Sequence, residues 1–499
     1  MFSFLIIPCL ALTLWFYRER KADAWLWTAL TYIGLMALCS QYYNSYAAAS
    51  GWDYLIPLIL RDFLTLGMVG LVQRFAVTRQ IPLWQAILMM LGLYAASRMI
   101  PVPYPAGELS AITYAEDGEY LVDLNLKTTT EAELQAWAVA RGFSVRRAFQ
   151  MTDAGATELD EYYLLDVPAF NELTTEQLEN SQLFDWVEGN EVIQLKDPIT
   201  SVAQTQPNRL GVNDPDIDKQ WALGALNMSA YYQLLAQQPK PAKPARLFIL
   251  DTGVEGNHAD IRSNYRSHQS GYDNDEHGHG THCAGIAAAT TNNGIGIASP
   301  NAQGFVEVSS IRVLSKRGVG TQQGIIQGML EAADNGADVI SMSLGGRSAA
   351  SKRRSYNQAV SYARRNNCII VAAAGNSNRP AADHLPAGAA GLITVAAVDR
   401  ELQRATFSNT LQNIERPICA PGVNIYSTFP RGQYKQFSGT SMACPLVAGL
   451  IANLRALNPD LDTDSAWQIL HRTGRDLNNG DLTGRLIQPA AALRELINS

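Results

Sequence analysis

The chain has 499 residues, of which 47% are hydrophobic and 17% charged, with a formal net charge of −7. Such a composition excludes a disordered tail protein, a collagen-like repeat and a small disulfide scaffold, and the length allows about two to four domains. Residues 1–100 carry seven Arg and Lys against four Asp and Glu, so the rest of the chain holds a net −10 and is a poor partner for a nucleic-acid backbone. Six cysteines are too sparse for a disulfide framework, and none forms a C-x-x-C metal pair.

Four apolar stretches open the chain, at Phe2–Tyr17, Ala24–Tyr43, Tyr54–Val72 and Pro82–Ile100. Each is near the ~20 residues that span a bilayer, which predicts a membrane anchor of about four transmembrane helices over residues 1–103. A secretory signal would begin with basic residues, whereas Arg18, Arg20 and Lys21 follow the first apolar stretch. These three residues mark the first loop as cytoplasmic, and Arg74 and Arg79 mark the third. Everything after Pro101 is then expected on the extracytoplasmic side, with the lipid bilayer as a partner. Arg61 and Asp62 lie within the third stretch and read as snorkelling or neighbour-facing charges.

Residues 111–196 change pattern. Glu119–Leu126 alternates as a strand, Thr130–Arg141 is an amphipathic helix after a Thr-x-x-Glu capping signal, and Phe143–Phe149 is a second strand. A strand at Tyr162–Val167, a helix from Thr175 to Asn180 and a last strand in Trp186–Leu195 complete a β-α-β-β-α-β order, the ferredoxin-like plan. Residues 197–211, with Pro198 and Pro207, read as a linker and processing segment.

Three motifs follow within residues 212–499. The apolar run Arg246–Leu250 ends in Asp251-Thr-Gly253, which puts a carboxylate at the C-terminal end of a buried parallel strand. Gly278-His279-Gly-Thr-His282-Cys283 leads into a helix that carries an imidazole at its N-terminus. His279 and His282 lack the acidic residue of a two-His zinc motif. Gly439-Thr-Ser441-Met-Ala-Cys-Pro445 opens an apolar helix, so a hydroxyl meets free backbone donors and the positive end of the helix dipole.

Together these motifs resemble, in the order Asp, His, Ser and at similar spacing, the subtilisin-like serine peptidases, or subtilases, from about Asn213 to Ala491. Cys283 is similar to the proteinase K branch of that family. The resemblance implies an α/β fold with a mostly parallel sheet and helices on both faces, preceded by a ferredoxin-like α+β propeptide and an all-α transmembrane region. It implies Ser441 as nucleophile, His279 as general base, Asp251 as its orienter and Asn376 as an oxyanion donor.

Gly318, Val319 and Gly320 resemble the edge that pairs with substrate backbone. Ser343, Leu344, Gly345 and Gly346, with Ala373 and Gly375, resemble the walls of an open, apolar pocket for the residue before the cut bond, and they imply a broad apolar or aromatic preference there. No cofactor is implied for catalysis. Asp260, with Asn292, matches a family calcium position, although the loop Thr290–Ala298 is shorter than the usual one. Expected partners are protein or peptide substrates and the chain's own propeptide. Self-cleavage in the linker would activate the peptidase and release it from its anchor. A catalytically silent membrane sensor or scaffold is the alternative, whereas an intramembrane protease fails because no motif falls in the apolar stretches.

Overall fold

A computed structural model describes residues 118–167, 175–196, 199–201, 210–348, 353–477 and 480–498. All belong to Ile112–Ser499, the second of two units into which the chain divides. The four apolar stretches, with the anchor and orientation expected of them, lie outside the described residues, as do residues 197–198 and 202–209 of the linker.

Between Tyr120 and Gly189 four antiparallel strands stand in the order Ser144–Arg147, Tyr162–Asp166, Tyr120–Leu124, Phe184–Gly189. With the helices Glu131–Val139 and Thr175–Glu179 this is the ferredoxin-like plan. The capping signal forms both of its bonds: Glu133 N–H donates to Thr130 Oγ1 (3.3 Å), and Thr130 N–H donates to Glu133 Oε2 (2.8 Å). Alternation along the first strand decides which side chains go where. Tyr120, Val122 and Leu124 face the small unit's own core with Leu134 and Ala138. Leu121 lies on the other face with Leu159, Tyr162 and Leu164, in one cluster with Ile325, Met329, Tyr356 and Val360 from the helices Gln322–Asp334 and Arg354–Arg365.

The larger part is a seven-stranded parallel sheet. Its spatial order is Arg485–Leu486, Pro417–Pro421, Ile393–Val398, Ile369–Ala373, Val339–Met342, Ala245–Asp251, Val306–Arg312. Both faces are covered, which explains the continuous apolar runs. Leu247 and Ile249 join the core formed with the helices His279–Ala288 and Thr440–Leu457, while Phe248 and Leu250 join the opposite one. Fully burying one such side chain contributes about 1.5–3 kcal/mol. Among the described residues only Thr440–Leu457 is long and apolar enough to cross a membrane, and with 89% of it buried it is a core helix.

One element departs from the sequence expectation. The single strand expected in Trp186–Leu195 is two: Phe184–Gly189 completes the small sheet, and Val192–Gln194 leaves it to pair antiparallel with Val319–Thr321. The break has a physical cause at Asn190 and Glu191. Asn190 Oδ1 accepts the N–H of Gln323 and the Glu191 carbonyl accepts that of Gln322, so the two residues satisfy otherwise free donors in the first turn of the helix Gln322–Asp334.

Candidate active site

Asp251 is the last residue of its strand and His279 the first of its helix. The imidazole Nδ1 lies 2.8 and 2.9 Å from the two carboxylate oxygens, with both side chains buried. Thr252 N–H also donates to Asp251 Oδ1 (2.8 Å), which fixes the carboxylate plane. Burial favours the neutral ring, yet the Asp251 carboxylate and the neighbouring Cys283 outweigh it and hold the pKa of His279 well above its ordinary value.

A residue that sequence reasoning missed positions this helix. Asp275 accepts the N–H of Gly278 at one carboxylate oxygen (2.8 Å) and the N–H and hydroxyl of Thr281 at the other (2.9 and 2.8 Å). It also accepts the hydroxyl of Thr252, which in turn accepts Gly280 N–H. Its charge lies at the positive end of the helix and ties the Asp251 strand to the His279 turn. An acidic residue four positions before His279 was the available signal. Gly278 has a left-handed φ of +98°, and a Cβ there would lie 2.1 Å from Phe429, so only glycine fits the turn.

His282, three residues on, does not share a site with His279. It meets the Lys435 carbonyl (3.0 Å) and stacks on Phe437, and burial lowers its pKa to about 3.

Ser441 is the second residue of Thr440–Leu457 and its hydroxyl donates to the Ser343 carbonyl (3.2 Å). Pro445 lies inside the helix and has no N–H for the Ser441 carbonyl. Ser343 Oγ (2.9 Å) and Cys283 Sγ (3.4 Å) donate to that carbonyl instead. Cys283 Sγ is also 3.9 Å from His279 Nδ1, so this thiol touches both the histidine and the serine turn. Cys444 is fully buried, and burial pushes its thiol up to about 12.

Asn376 follows the strand Ile369–Ala373. Its Oδ1 accepts both the N–H (2.8 Å) and the hydroxyl (2.9 Å) of Thr440. With the oxygen so engaged, the amide is oriented and Nδ2 is the group left to donate beside the Ser441 turn. Gly375, at φ +100°, donates to Thr440 Oγ1 (3.0 Å), and a Cβ on it would crowd Asn409 and His384.

The expected binding residues gather around these groups. Gly318–Gly320 hold the segment Val192–Leu195, with Leu195 N–H donating to the Gly318 carbonyl (2.8 Å). Gly346 pairs with Leu385, which brings His384 beside the Ser343–Gly346 and Ala373–Gly375 walls. His384 is a second residue that sequence reasoning missed, since no motif surrounds it.

At the expected metal position, Asp260 accepts from Asn293 Nδ2 (2.8 Å), Ile297 N–H (2.8 Å) and Tyr434 (3.2 Å). Asp214 accepts the N–H groups of Asn292 and Asn293, whereas the Asn292 side chain serves Asn213. Burial raises the pKa of Asp260 to about 6, and the nearby Asp214 charge adds to the rise. Asp214 and Asp260 bring two buried carboxylates from different segments against the loop 290–298, and carboxylate oxygen is the donor type a hard cation takes, whereas Asn293 presents its nitrogen to Asp260 and its Oδ1 accepts Ile295 N–H (2.7 Å). Thus Asn293, not Asn292, is the asparagine that meets Asp260.

The subtilase family model matches residues 246–486. Thermitase from Thermoactinomyces vulgaris is 43% identical over 213 residues, which are 41% of this chain and 73% of thermitase. Subtilisin DY from Bacillus licheniformis is 38% identical over 253 residues, 49% of this chain and 89% of that protein. Among solved structures, a protease of Pseudoalteromonas arctica PAMC 21717 superposes with a TM-score of 0.51 at 30% identity, covering 57% of this chain and 99% of that one.

Proposed function

The chain belongs to the subtilase family of serine endopeptidases, and from that premise we propose that Ser441, His279, Asp251 and Asn376 are its catalytic residues in a membrane-anchored, self-processing enzyme. Ser441 Oγ attacks the scissile carbonyl while His279 takes its proton through Nε2. Asp251 holds the Nδ1 tautomer and stabilises the charged ring. The oxyanion is held by Asn376 Nδ2 and the Ser441 N–H at the helix N-terminus, where charge develops only in the transition state. His279 then protonates the leaving amine, and water attacks the acyl-enzyme by the same route in reverse. The observation that carries this reading is the pair of anchored groups: His279 Nδ1 held at 2.8 Å by Asp251, and Asn376 Oδ1 tied down by Thr440 so that its N–H₂ is free to donate.

Residues 111–196 act as the propeptide, blocking the cleft with Val192–Leu195 until the linker is cut. Their docking on the helices Gln322–Asp334 and Arg354–Arg365 supports that role. Residues 1–103 anchor the precursor in a bilayer with the peptidase outside, and cleavage frees the enzyme. A structural calcium bound by Asp214 and Asp260 would neutralise their mutual repulsion and pin the loop 290–298 to the start of the peptidase region near Asn213.

Casein hydrolysis and membrane fractionation of the full chain beside Ser441→Ala test the reading. Soluble activity in wild type alone supports it. An inert, membrane-bound chain in both cases favours the silent scaffold.

A further inference from the structure

We propose that His384 decides which side chain the pocket between Ser343–Gly346 and Ala373–Gly375 takes: the lone pair on its Nε2 favours a side chain that ends in a hydrogen-bond donor over one that ends in a carboxylate. The proposal rests on the serine-peptidase reading above and adds to it a class of substrate.

The backbone puts the ring between the two walls. His384 opens the strand His384–Leu385, which pairs antiparallel with Gly346–Arg347 at the end of the first wall. Its Cδ2 lies 3.4 Å from the place a Cβ on Gly375 would take, and Gly375 ends the second wall. Cδ2 is bonded to Nε2, so the edge of the ring that carries this nitrogen is the one turned to Gly375.

The other nitrogen fixes the tautomer. Nδ1 lies 3.2 Å from the Pro380 carbonyl, and a carbonyl only accepts. Nδ1 therefore carries the proton, which leaves the lone pair of the neutral ring on Nε2. Nε2 has no hydrogen bond among the described residues, although only 6% of His384 is exposed. An acceptor held in so little water is costly until a donor reaches it, and the pocket's occupant can bring one.

The chain's own cleft-held segment brings a donor to this place. Lys196, which follows Leu195, donates from Nζ to Ser377 Oγ at 2.9 Å, and its charge acts on the imidazole, pulling the pKa of His384 down. An ammonium there lies near two acceptors, the Ser377 hydroxyl and the neutral ring. The walls alone imply an apolar pocket, whereas His384 and Ser377 give it a polar end.

Protonation of the ring reverses the selection. Burial is the largest influence on His384 and lowers its pKa. The Pro380 carbonyl opposes this, Lys196 adds to it, Asp383 opposes it and Arg347 adds to it. Arg353, which donates to the Ala382 carbonyl, brings a further positive charge to the same turn. The ring is thus neutral at pH 8. In acid, Nε2 becomes a charged donor that repels an ammonium and pairs with a carboxylate, and a bound carboxylate in turn favours the charged ring.

The test compares peptide anilides ending in Leu-Lys, Leu-Met and Leu-Glu as substrates of the full chain, at pH 8 and pH 5, with fluorophosphonate labelling of Ser441 in parallel. Ratios of kcat/KM at one pH cancel the titration of His279, which all three substrates share. Lys should exceed Glu at least about tenfold at pH 8, and this ratio should fall at least about tenfold by pH 5. His384→Leu should put Met first and remove the pH dependence of the ratio. His384→Gln, which can still accept a hydrogen bond but does not titrate, should keep Lys ahead of Glu at both pH values. A merely structural His384 predicts instead an equal loss on all three substrates in both variants. Met preferred at both pH values with a constant Lys-to-Glu ratio, in a wild-type chain whose Ser441 labels, would overturn the proposal and leave the peptidase reading intact. A ratio that still shifts with pH in His384→Gln would also overturn it. No hydrolysis with Ser441 unlabelled would sink the peptidase reading and the proposal with it.

Discussion

Ser343 supplies the hydrogen bond that Pro445 withholds. The Ser441 carbonyl would be bonded by the N–H four residues on in an unbroken helix, but that residue is Pro445, and Ser343 Oγ takes its place at 2.9 Å. The proline leaves the first turn of the Ser441 helix tied to Ser343 rather than only to itself. Ser343→Ala leaves this carbonyl with Cys283 alone and should cost about 1 kcal/mol of stability and lower kcat, because the serine turn loses its anchor. Thermal melting and kcat on one peptide substrate check both effects. Ser343→Thr, which keeps the hydroxyl, should recover most of the loss.

Asn376→Ala removes the oriented amide and with it a donor to the transition-state oxyanion. The proposed role predicts a fall in kcat of roughly 10²–10³ with KM little changed. A matching rise in KM instead would mean that Asn376 binds the ground state.

The pH profile follows from His279. Its pKa lies above its ordinary value, and the ring must be neutral to accept a proton, so kcat/KM should be lost as pH falls through that raised pKa. Asp251→Asn removes the charge that holds the pKa up. Its acid limb should therefore move to lower pH while the maximum rate drops about 10⁴-fold. For stability the sign is opposite: the raised pKa stabilises the fold below about pH 6.5, and this contribution fades as pH rises through the folded value.

Docking of the small unit should also depend on pH. Glu188 is fully buried against the Ser355 end of Arg354–Arg365, and burial, aided by Glu191 and opposed by Ser355 and Trp186, raises its pKa to about 7. Asp123 reaches about 7 through burial and the charges of Glu158, Glu161 and Asp185, against the pull of Arg354 at 3.1 Å. The docked state therefore holds protons that exposed carboxyls would have released near pH 4 to 4.5. Docking weakens as pH rises from there to about 7 and is weakest above it. Onset of peptide hydrolysis after the self-cut should be faster at pH 8 than at pH 6, by about tenfold for each of the two carboxyls. Glu188→Gln should remove one of the two contributions and leave that of Asp123.

Much of the site was legible because its chemistry sits in contiguous motifs. Asp251, His279 and Ser441 each end or begin an element whose apolar run is visible, and the small unit's capping box at Thr130 and Glu133 marks its first helix. Residues whose role depends on distant chain were not legible. Asp275 works only because the loop after Ser270–Tyr272 folds back on the helix at His279. His384 enters through the pairing of Gly346 with Leu385, and the strand break at Asn190 exists because a helix over a hundred residues later has free N–H groups to satisfy. Asn292 and Asn293 are adjacent and alike, so only the turn geometry decides which one faces Asp260.

Removal of calcium should test the loop at Asp260. A chelator should lower the melting temperature of the mature enzyme, and Asp260→Asn should lower it without further response to the chelator, since binding to the folded state alone stabilises by mass action. An unchanged melting temperature would assign Asp214 and Asp260 to hydrogen bonding only.

The central claim is that Ser441 is the nucleophile of an endopeptidase, and its most direct test is active-site titration of the mature enzyme with a fluorophosphonate, followed by peptide mapping. The account predicts one adduct per chain, on Ser441, with loss of casein hydrolysis in proportion to labelling and no adduct in Ser441→Ala. Full hydrolysis in a labelled chain, or activity retained by Ser441→Ala, would contradict it.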